Sequence, residues 1–455
     1  MNEFKDKNIH VVGLGVEGAA LADYFLSQSA RVTVHHKAEP ENLEQDSDLN
    51  KFKEKGAKFR LGKDYLQGIE KANFVGIIQS AFSYLHRESN QRLYDLYQRN
   101  PEIFYTDLKI FFAECPATIV GVTGSKGKTT TTDLLGKIVS TERRAWALGN
   151  IGKSPLTLVD ELSAEDVAIL EISNYQLEYL KQSPHIAVLL NITPDHLVDY
   201  GGDFEKYQKA KQRIVKFQKP EDFKIINLDD LGARSAMEIG EGTLFGYSLE
   251  LISEGVFVEN GEVKIARKGE LKEVISVDQL PFPGRHNVSN FLAATAAACL
   301  LGVSVDNIRK VAWEYELLPH RLEEVKIVKG VKFVNDSKAT TPAATKAALK
   351  SFPAGKIILI AGGKNKGLPV EELGKVIDAR VKKLILLGET ADKLANSVST
   401  VSVAKVNSLE EAVAQAYSAA EQEDVVLLSP AAASFDMFKN YKDRGNKFKE
   451  IVNKL

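Results

Sequence analysis

At 455 residues the chain exceeds what one hydrophobic core organises, and at about 100–200 residues per domain it predicts two to four domains. With 59 basic against 61 acidic residues the formal net charge is −2, so no broad positive field invites nucleic acid, and a site for a phosphorylated substrate has to be local. Two cysteines, Cys115 and Cys299, cannot build a disulfide framework, which fits a reducing cytoplasm, and neither a signal-type apolar core at the start nor the run FLAATAAACLLGV from Phe291 can serve a membrane partner.

The first third alternates strands and helices. NIHVVGLG reads as a strand, GAALADYFLSQS as a helix, and RVTVHH and NFVGIIQS as further strands, the rhythm of a doubly wound parallel sheet. Gly13, Gly15 and Gly18 satisfy G-x-G-x-x-G between a strand and a helix, the context for a pyrophosphate at a helix N-terminus. A dinucleotide site also expects an acid at the end of the second strand, where this chain has His35-His36-Lys37. Three readings stay open: glycines needed for turn and packing, a dinucleotide site lacking the ribose acid, or a loop for a diphosphate-bearing substrate.

A second α/β run starts at ATIVGVTG from Ala117 and passes through DVAILEIS and IAVLLNIT. Between roughly Phe223 and Leu280, short alternating strands with Gly and Asn turns predict a small antiparallel insertion. PFPGRHN then precedes an Ala-rich helix at 289–301, and a third α/β run follows through VKFVNDS, KIILIAGG, KLILLGE and VVLLSPA. The expectation is three α/β domains. These are an N-terminal Rossmann-like parallel sheet (1–106), a central P-loop-type ATPase domain with a small antiparallel sheet (107–317), and a Rossmann-like C-terminal domain (318–455).

GVTGSKGKTTTT at 121–132 joins a strand to a helix. Gly124 and Gly127 leave no Cβ in the way, so backbone N–H groups through Ser125, Lys126 and Thr130 can converge on phosphate oxygens. Lys128 can reach the β- and γ-phosphates, and the Thr129 hydroxyl can ligate Mg²⁺. Five residues separate Gly121 from Gly127, so the loop departs from the ordinary G-x₄-G-K-[ST] spacing.

Further along, Glu171 ends an apolar strand, where a carboxylate is costly unless a cation or metal satisfies it. His196 in NITPDHL reads, by itself, as a hydrogen-bonded loop residue, and Lys211 in YQKAKQRIV as a solvated one. In the last third, Arg321, Asp336, Lys338, Thr340, Ser434, Phe435 and Tyr441 stand near strand ends, where open α/β sheets bind ligands; helix caps and solvated charges are the alternative.

TGSKGKTT resembles the nucleotide loop of the Mur ligases and their folylpolyglutamate synthetase relatives, and the remaining signatures follow in that family's order over nearly the whole chain. The resemblance implies a UDP-sugar-binding first domain using Gly13, Gly15 and Gly18, a central ATP-binding domain and a C-terminal amino-acid-binding domain. It implies ATP with Mg²⁺, two ions in number, held by Thr129, Glu171, His196 and a carbamylated Lys211, with Lys128 in the catalytic set. Asn150 and Ser173 would line the same cleft, Asn287 would seat the adenine nucleotide, and Arg321 and Asp336 would contact ATP. DSKATT and SPAAASFDMFKNYKDRG resemble the branch that adds D-glutamate to UDP-N-acetylmuramoyl-L-alanine through an acyl phosphate in peptidoglycan precursor synthesis. On that reading Lys338, Thr340, Lys366, Ser434, Phe435 and Tyr441 would face the amino acid, in an enzyme expected to be monomeric.

The first domain departs from the family: His35 and His36 replace the usual acid, and IIQSAFSYLHRES lacks the usual Ser/Asn-Pro-Gly loop, leaving Gln79, Ser80 and Ser83 as alternative donors. Lys126 stands where asparagine is usual. Three rivals remain: another Mur or folylpolyglutamate-type ligase, a dinucleotide oxidoreductase built on the first glycine loop, and a P-loop ATPase with no amino-acid requirement.

Overall fold

The computed structural model describes residues 3–39, 47–78, 90–149, 153–195 and 197–455. The chain gathers into two compact units, residues 1–277 with 290–311, and residues 278–289 with 312–455.

Two sheets lie in the first unit. Strands β1 (Asn8–Val12), β2 (Arg31–His36), β3 (Lys58–Leu61), β4 (Phe74–Ile77) and β5 (Phe104–Tyr105) pair in parallel in the order β3-β2-β1-β4-β5. The second sheet takes β6 (Thr118–Thr123), β7 (Ala145–Gly149), β8 (Val167–Glu171), β9 (Ile186–Leu189), β10 (Phe223–Asn227), β11 (Thr243–Ser248), β12 (Gly255–Glu259), β13 (Glu262–Arg267) and β14 (Glu270–Ser276). Its order is β14-β13-β12-β11-β10-β9-β6-β8-β7. One apolar core runs across both sheets, from Phe4, Val11 and Phe25 to Leu148, Leu170 and Leu189. The expected boundary at 106 falls on Thr106, whose side chain caps helix Asp107–Glu114 by accepting from the Lys109 N–H.

The antiparallel insertion does not form a separate sheet. Two of its expected strands, β10 and β11, extend the parallel array, and only β12–β14 run antiparallel at its edge. Two-residue turns explain this edge: Asn260-Gly261 and Lys268-Gly269 all have positive φ, the twist that joins adjacent antiparallel strands.

In the second unit, β15 (Glu323–Val328), β16 (Val331–Asn335), β17 (Ile357–Ala361), β18 (Val381–Leu386), β19 (Ser402–Lys405) and β20 (Val425–Leu428) take the order β15-β16-β20-β17-β18-β19. Only the β15–β16 pair is antiparallel. Strands covered on both faces read as unbroken apolar runs, and VAILE, IAVL, IILIA and VVLL are buried at every residue.

Register places the chemistry. Glu171 at the end of β8 is level with Val122 of β6 and Gly149 of β7, and Thr123 of β6 with Leu189 of β9. The loops leaving β6, β8 and β9 therefore emerge side by side. In the last sheet the ends of β16, β20 and β17 are likewise level through Asn335, Leu428 and Ile360.

Candidate functional site

The loop after β6 is a cradle of backbone. Gly127 begins the helix Lys128–Val139 with φ +91, and a Cβ there would lie 2.3 Å from Asn290 Oδ1, so only glycine fits. The Ser125 N–H donates to Asn191 O (2.8 Å), and the Asn191 side chain brackets Lys126, accepting from its N–H (2.8 Å) and donating to its carbonyl (3.0 Å). The Ser125 hydroxyl bonds Tyr207 (2.8 Å) and donates to Thr193 O (2.9 Å). Lys126, the residue that departs from the family pattern, pairs with Asp195 at 2.9 Å.

Two cations share one acceptor. Lys128 Nζ and Lys211 Nζ both donate to Gly124 O, at 2.8 and 2.9 Å. Lys211 is 1% exposed, against the solvated position that composition suggests. Helix Phe204–Lys216 explains its burial, because Tyr207, Ala210, Lys211, Ile214 and Val215 form its buried stripe. Burial, and next the Lys128 ammonium, hold the Lys211 amine well below its ordinary range, while Asp195 and Glu171 pull the other way.

Glu171 is 4% exposed, and among the described residues its Oε2 has no hydrogen-bond partner. An orphaned buried carboxylate oxygen beside a phosphate-type loop suits a hard, oxygen-seeking cation, so the residues present fit Mg²⁺. Thr129 is the second residue of the adjoining helix. His196 and Asn150 lie outside the described residues, as do Gln79, Ser80 and Ser83. Ser173 caps helix Asn174–Tyr179 in a reciprocal box with Gln176.

At the first glycine loop, Gly13 and Gly15 form the turn from β1 into helix Val16–Ser27. A Cβ on Gly18 would lie 2.2 Å from Gly13 O, so close packing of helix on turn accounts for that glycine. His35 is fully buried: its Nε2 meets His10 Nδ1 at 2.9 Å, the rings stack with centroids 4.9 Å apart, and Nδ1 meets Tyr65 O. It replaces the family acid with a buried imidazole pair.

In the C-terminal unit Asp336 is buried among polar partners, whereas Lys366 and Phe435 stand apart from it. The Ser429 hydroxyl donates to Asp336 Oδ2 (2.8 Å) and the Leu322 N–H to Oδ1 (3.3 Å). Burial pushes this carboxyl up to about 7, against the pull of those bonds and of Arg321 and Arg444. Lys338 lies 3.9 Å from the Tyr441 ring centroid, and the Thr340 N–H donates to Lys338 O (2.8 Å). Lys366 lines a small cleft with Pro342, Lys364 and Lys393. Ser434 is buried, whereas Phe435 is 70% exposed. Asn287 is buried, its amide donating to Pro283 O (2.8 Å).

Four contributors were not singled out by sequence reading: Asn191, Asp195, Tyr207 and Arg444. Tyr207 stands four residues before Lys211, a helical spacing that puts both on one face. Arg444, 2% exposed, donates to Ser337 Oγ and O, Gly362 O, Ala432 O and Ala433 O, joining the loops after β16, β17 and β20. Its place in KNYKDRG gave only the appearance of a solvated charge cluster.

Comparison with known proteins bears on the whole chain. Residues 122–298 match the Mur ligase middle domain, and residues 320–432 the Mur ligase glutamate ligase domain. The chain is 38% identical to the UDP-N-acetylmuramoylalanine--D-glutamate ligase of Acetivibrio thermocellus, over 100% of this chain and 99% of that one. The protein of the same name from Clostridium tetani is also 38% identical, over 100% and 99%. In fold the chain resembles a pseudomurein peptide ligase type C from Methanothermus fervidus (TM-score 0.61, 22% identity, 99% of this chain and 100% of that). It also resembles the MurF ligase from Thermotoga maritima in complex with ADP (TM-score 0.60, 18% identity, 99% and 96%). With relatives aligned end to end and two family models matched in order, the chain belongs to the Mur ligase family.

Proposed function

We propose that this protein is an ATP-dependent ligase that adds D-glutamate to UDP-N-acetylmuramoyl-L-alanine in peptidoglycan precursor synthesis. The observation that carries the reading is the convergence of Lys128 and Lys211 on Gly124 O beside the orphaned oxygen of Glu171. The full-length similarity to proteins named for that reaction supports the choice of substrates. On this reading UDP-sugar recognition belongs to 1–106, ATP binding to 107–317 and amino-acid binding to 318–455.

The substrate carboxylate attacks the γ-phosphorus of ATP, forming a C–O–P linkage and releasing ADP. The D-glutamate amine then attacks the acyl carbon, phosphate leaves with its C–O bond electrons, and the amine gives up a proton. The protein's task is positioning and charge neutralisation. The backbone N–H groups of Gly127 to Thr130 cradle the triphosphate, those of Ser125 and Lys126 being held by Asn191, and Lys128 follows the charge that develops on its terminal oxygens. Thr129, Glu171, His196 and carbamylated Lys211 would hold two Mg²⁺ ions, which screen the phosphates and polarise the γ-phosphoryl group.

The environment of Lys211 supports its carbamylation. An amine held below its ordinary range keeps its lone pair, adds to CO₂ and releases a proton, and the carbamate formed is an anionic oxygen ligand. Asn287, Arg321 and Asp336 are proposed for the nucleotide, and Lys338, Thr340, Lys366, Ser434, Phe435 and Tyr441 for D-glutamate. We place the enzyme in the cytoplasm, as a monomer acting on small molecules without nucleic acid.

Phosphate release measured with UDP-N-acetylmuramoyl-L-alanine and a panel of D- and L-amino acids tests the reading. Release that needs both the nucleotide sugar and D-glutamate is expected, and release without any amino acid overturns it. Lys211→Ala is expected to be inactive and partly restored by short-chain carboxylic acids, which replace the missing carbamate. Full activity without them would remove Lys211 from the site.

A further inference from the structure

The antiparallel edge of the nine-stranded sheet and the end of helix Arg285–Leu300 enclose a cavity of about 400 Å³, lined among others by Ile265, Arg267, Lys268, Lys272, Cys299 and Ser304. All these residues belong to the first compact unit. The phosphate loop follows β6, five places from β13 in the strand order, or roughly 24 Å at the ordinary spacing between strands. The cavity is therefore separate from the site already described.

Its walls are of two kinds. Ile265 and Val303, 3% and 6% exposed, supply an apolar side. Three cations, Arg267, Lys268 and Lys272, line the same cavity. Arg267 Nη1 donates to Cys299 O (3.1 Å) and the guanidinium lies 5.8 Å from the Phe245 ring centroid, which fixes the fork while leaving further N–H donors. Lys268 is held at φ +51 in a two-residue turn. Among the described residues neither Arg267 nor Lys268 makes an ion pair, and the carboxylate of the cavity, Glu270, is taken by Lys272 at 3.3 Å. A small-molecule site commonly spans about 300–1,000 Å³ with mostly apolar walls and a few convergent polar groups. Here the polar groups are cationic, and an arginine fork flanked by lysines suits a phosphate dianion.

We propose that this cavity is a second ligand site, taking a phosphate monoester carried on a small apolar group. Arg267 and Lys268 hold the phosphate, and Ile265 and Val303 hold the body.

Cys299 on the cavity wall provides a local reporter. In the full-length protein with Cys115→Ser, the rate at which neutral 4,4′-dithiodipyridine modifies Cys299 is measured with phenyl phosphate as the probe. Phenyl phosphate is expected to slow modification saturably, by about tenfold when nine-tenths of the sites are filled, whereas phenol has no effect. Arg267→Gln combined with Lys268→Gly is expected to lose the protection, read as the ratio of rates with and without probe, because Arg267 also contacts the Cys299 sulfur and its loss changes the rate without probe. Lys268→Gly alone sits on an exposed turn whose backbone suits glycine, and it is expected to raise the phenyl phosphate concentration for half-protection. Absent protection, equal protection by phenol, or an unchanged half-protection concentration in Lys268→Gly overturns the site.

Discussion

Gly124 O accepts from the Lys128 ammonium and from the Lys211 amine, and that arrangement makes the two side chains dependent on each other. Lys128→Ala is expected to lower kcat by at least about a thousandfold, the scale for losing a charge that stabilises a transferring phosphoryl group, with the melting temperature little changed. Because the Lys128 ammonium is the second largest influence lowering Lys211, the same variant is expected to return Lys211 toward its ordinary range and so to slow carbamylation. Incorporation of ¹³C-labelled CO₂, read by NMR, checks this, and undiminished labelling would contradict it. Asp336 is a carboxyl whose folded value, about 7, lies above its unfolded one. Between about pH 4 and 7 the unfolded chain releases this proton and the folded chain keeps it, so its contribution is fully present below the window and is lost as pH rises through it. Asp336→Asn is therefore expected to raise the urea midpoint at pH 8 relative to wild type, with little change at pH 4, while ligation falls.

At the scale of elements, the pairing of β1 with β2 carries the stacked imidazoles of His10 and His35. Burial, then the neighbouring His35, bring His10 down to about 4, with Glu70 opposing and Arg60 assisting, and burial lowers His35 as well. Here the unfolded chain binds the proton first. Stability is present above about pH 6.5 and is lost as pH falls toward 4, by about 1 kcal/mol from His10 after allowance for its partial exposure. Urea midpoints at pH 7 and 5 are expected to converge in His10→Gln.

The strands were legible because continuous burial leaves unbroken apolar runs, as in VAILE and IILIA, and the loop GSKGKTT was legible because phosphate needs glycines and a lysine there. Lys211 was legible in principle, since it occupies an inward position of the stripe Tyr207, Ala210, Ile214 and Val215. Arg444 was not, because its partners are carbonyls from three distant loops, and a carbonyl leaves no mark in a sequence.

For the molecule as a whole, two compact units mean that unfolding need not be a single event. Arg444→Met tests this. The change leaves the carbonyls of Gly362 and Ala432 without the Arg444 donor, while Ala433 O keeps the Lys364 N–H, at a cost of about 2–6 kcal/mol from roughly 1–3 kcal/mol per unpaired buried acceptor. Only the transition of residues 278–289 and 312–455 is expected to move in calorimetry. A uniform shift of all transitions would show a single cooperative block.

Among the described residues each sheet is open, so each ends in two strands with largely unpaired backbone. Those terminal strands are short, as with the two residues of β5, or charged, as with Glu270, Lys272 and Glu273 on β14 and Glu323, Glu324 and Lys326 on β15. Charged side chains and scant length at an edge give a second copy little to pair with, a device that opposes edge-to-edge association. Colloidal behaviour is thus written into the margins of the sheets, away from every residue that handles substrate.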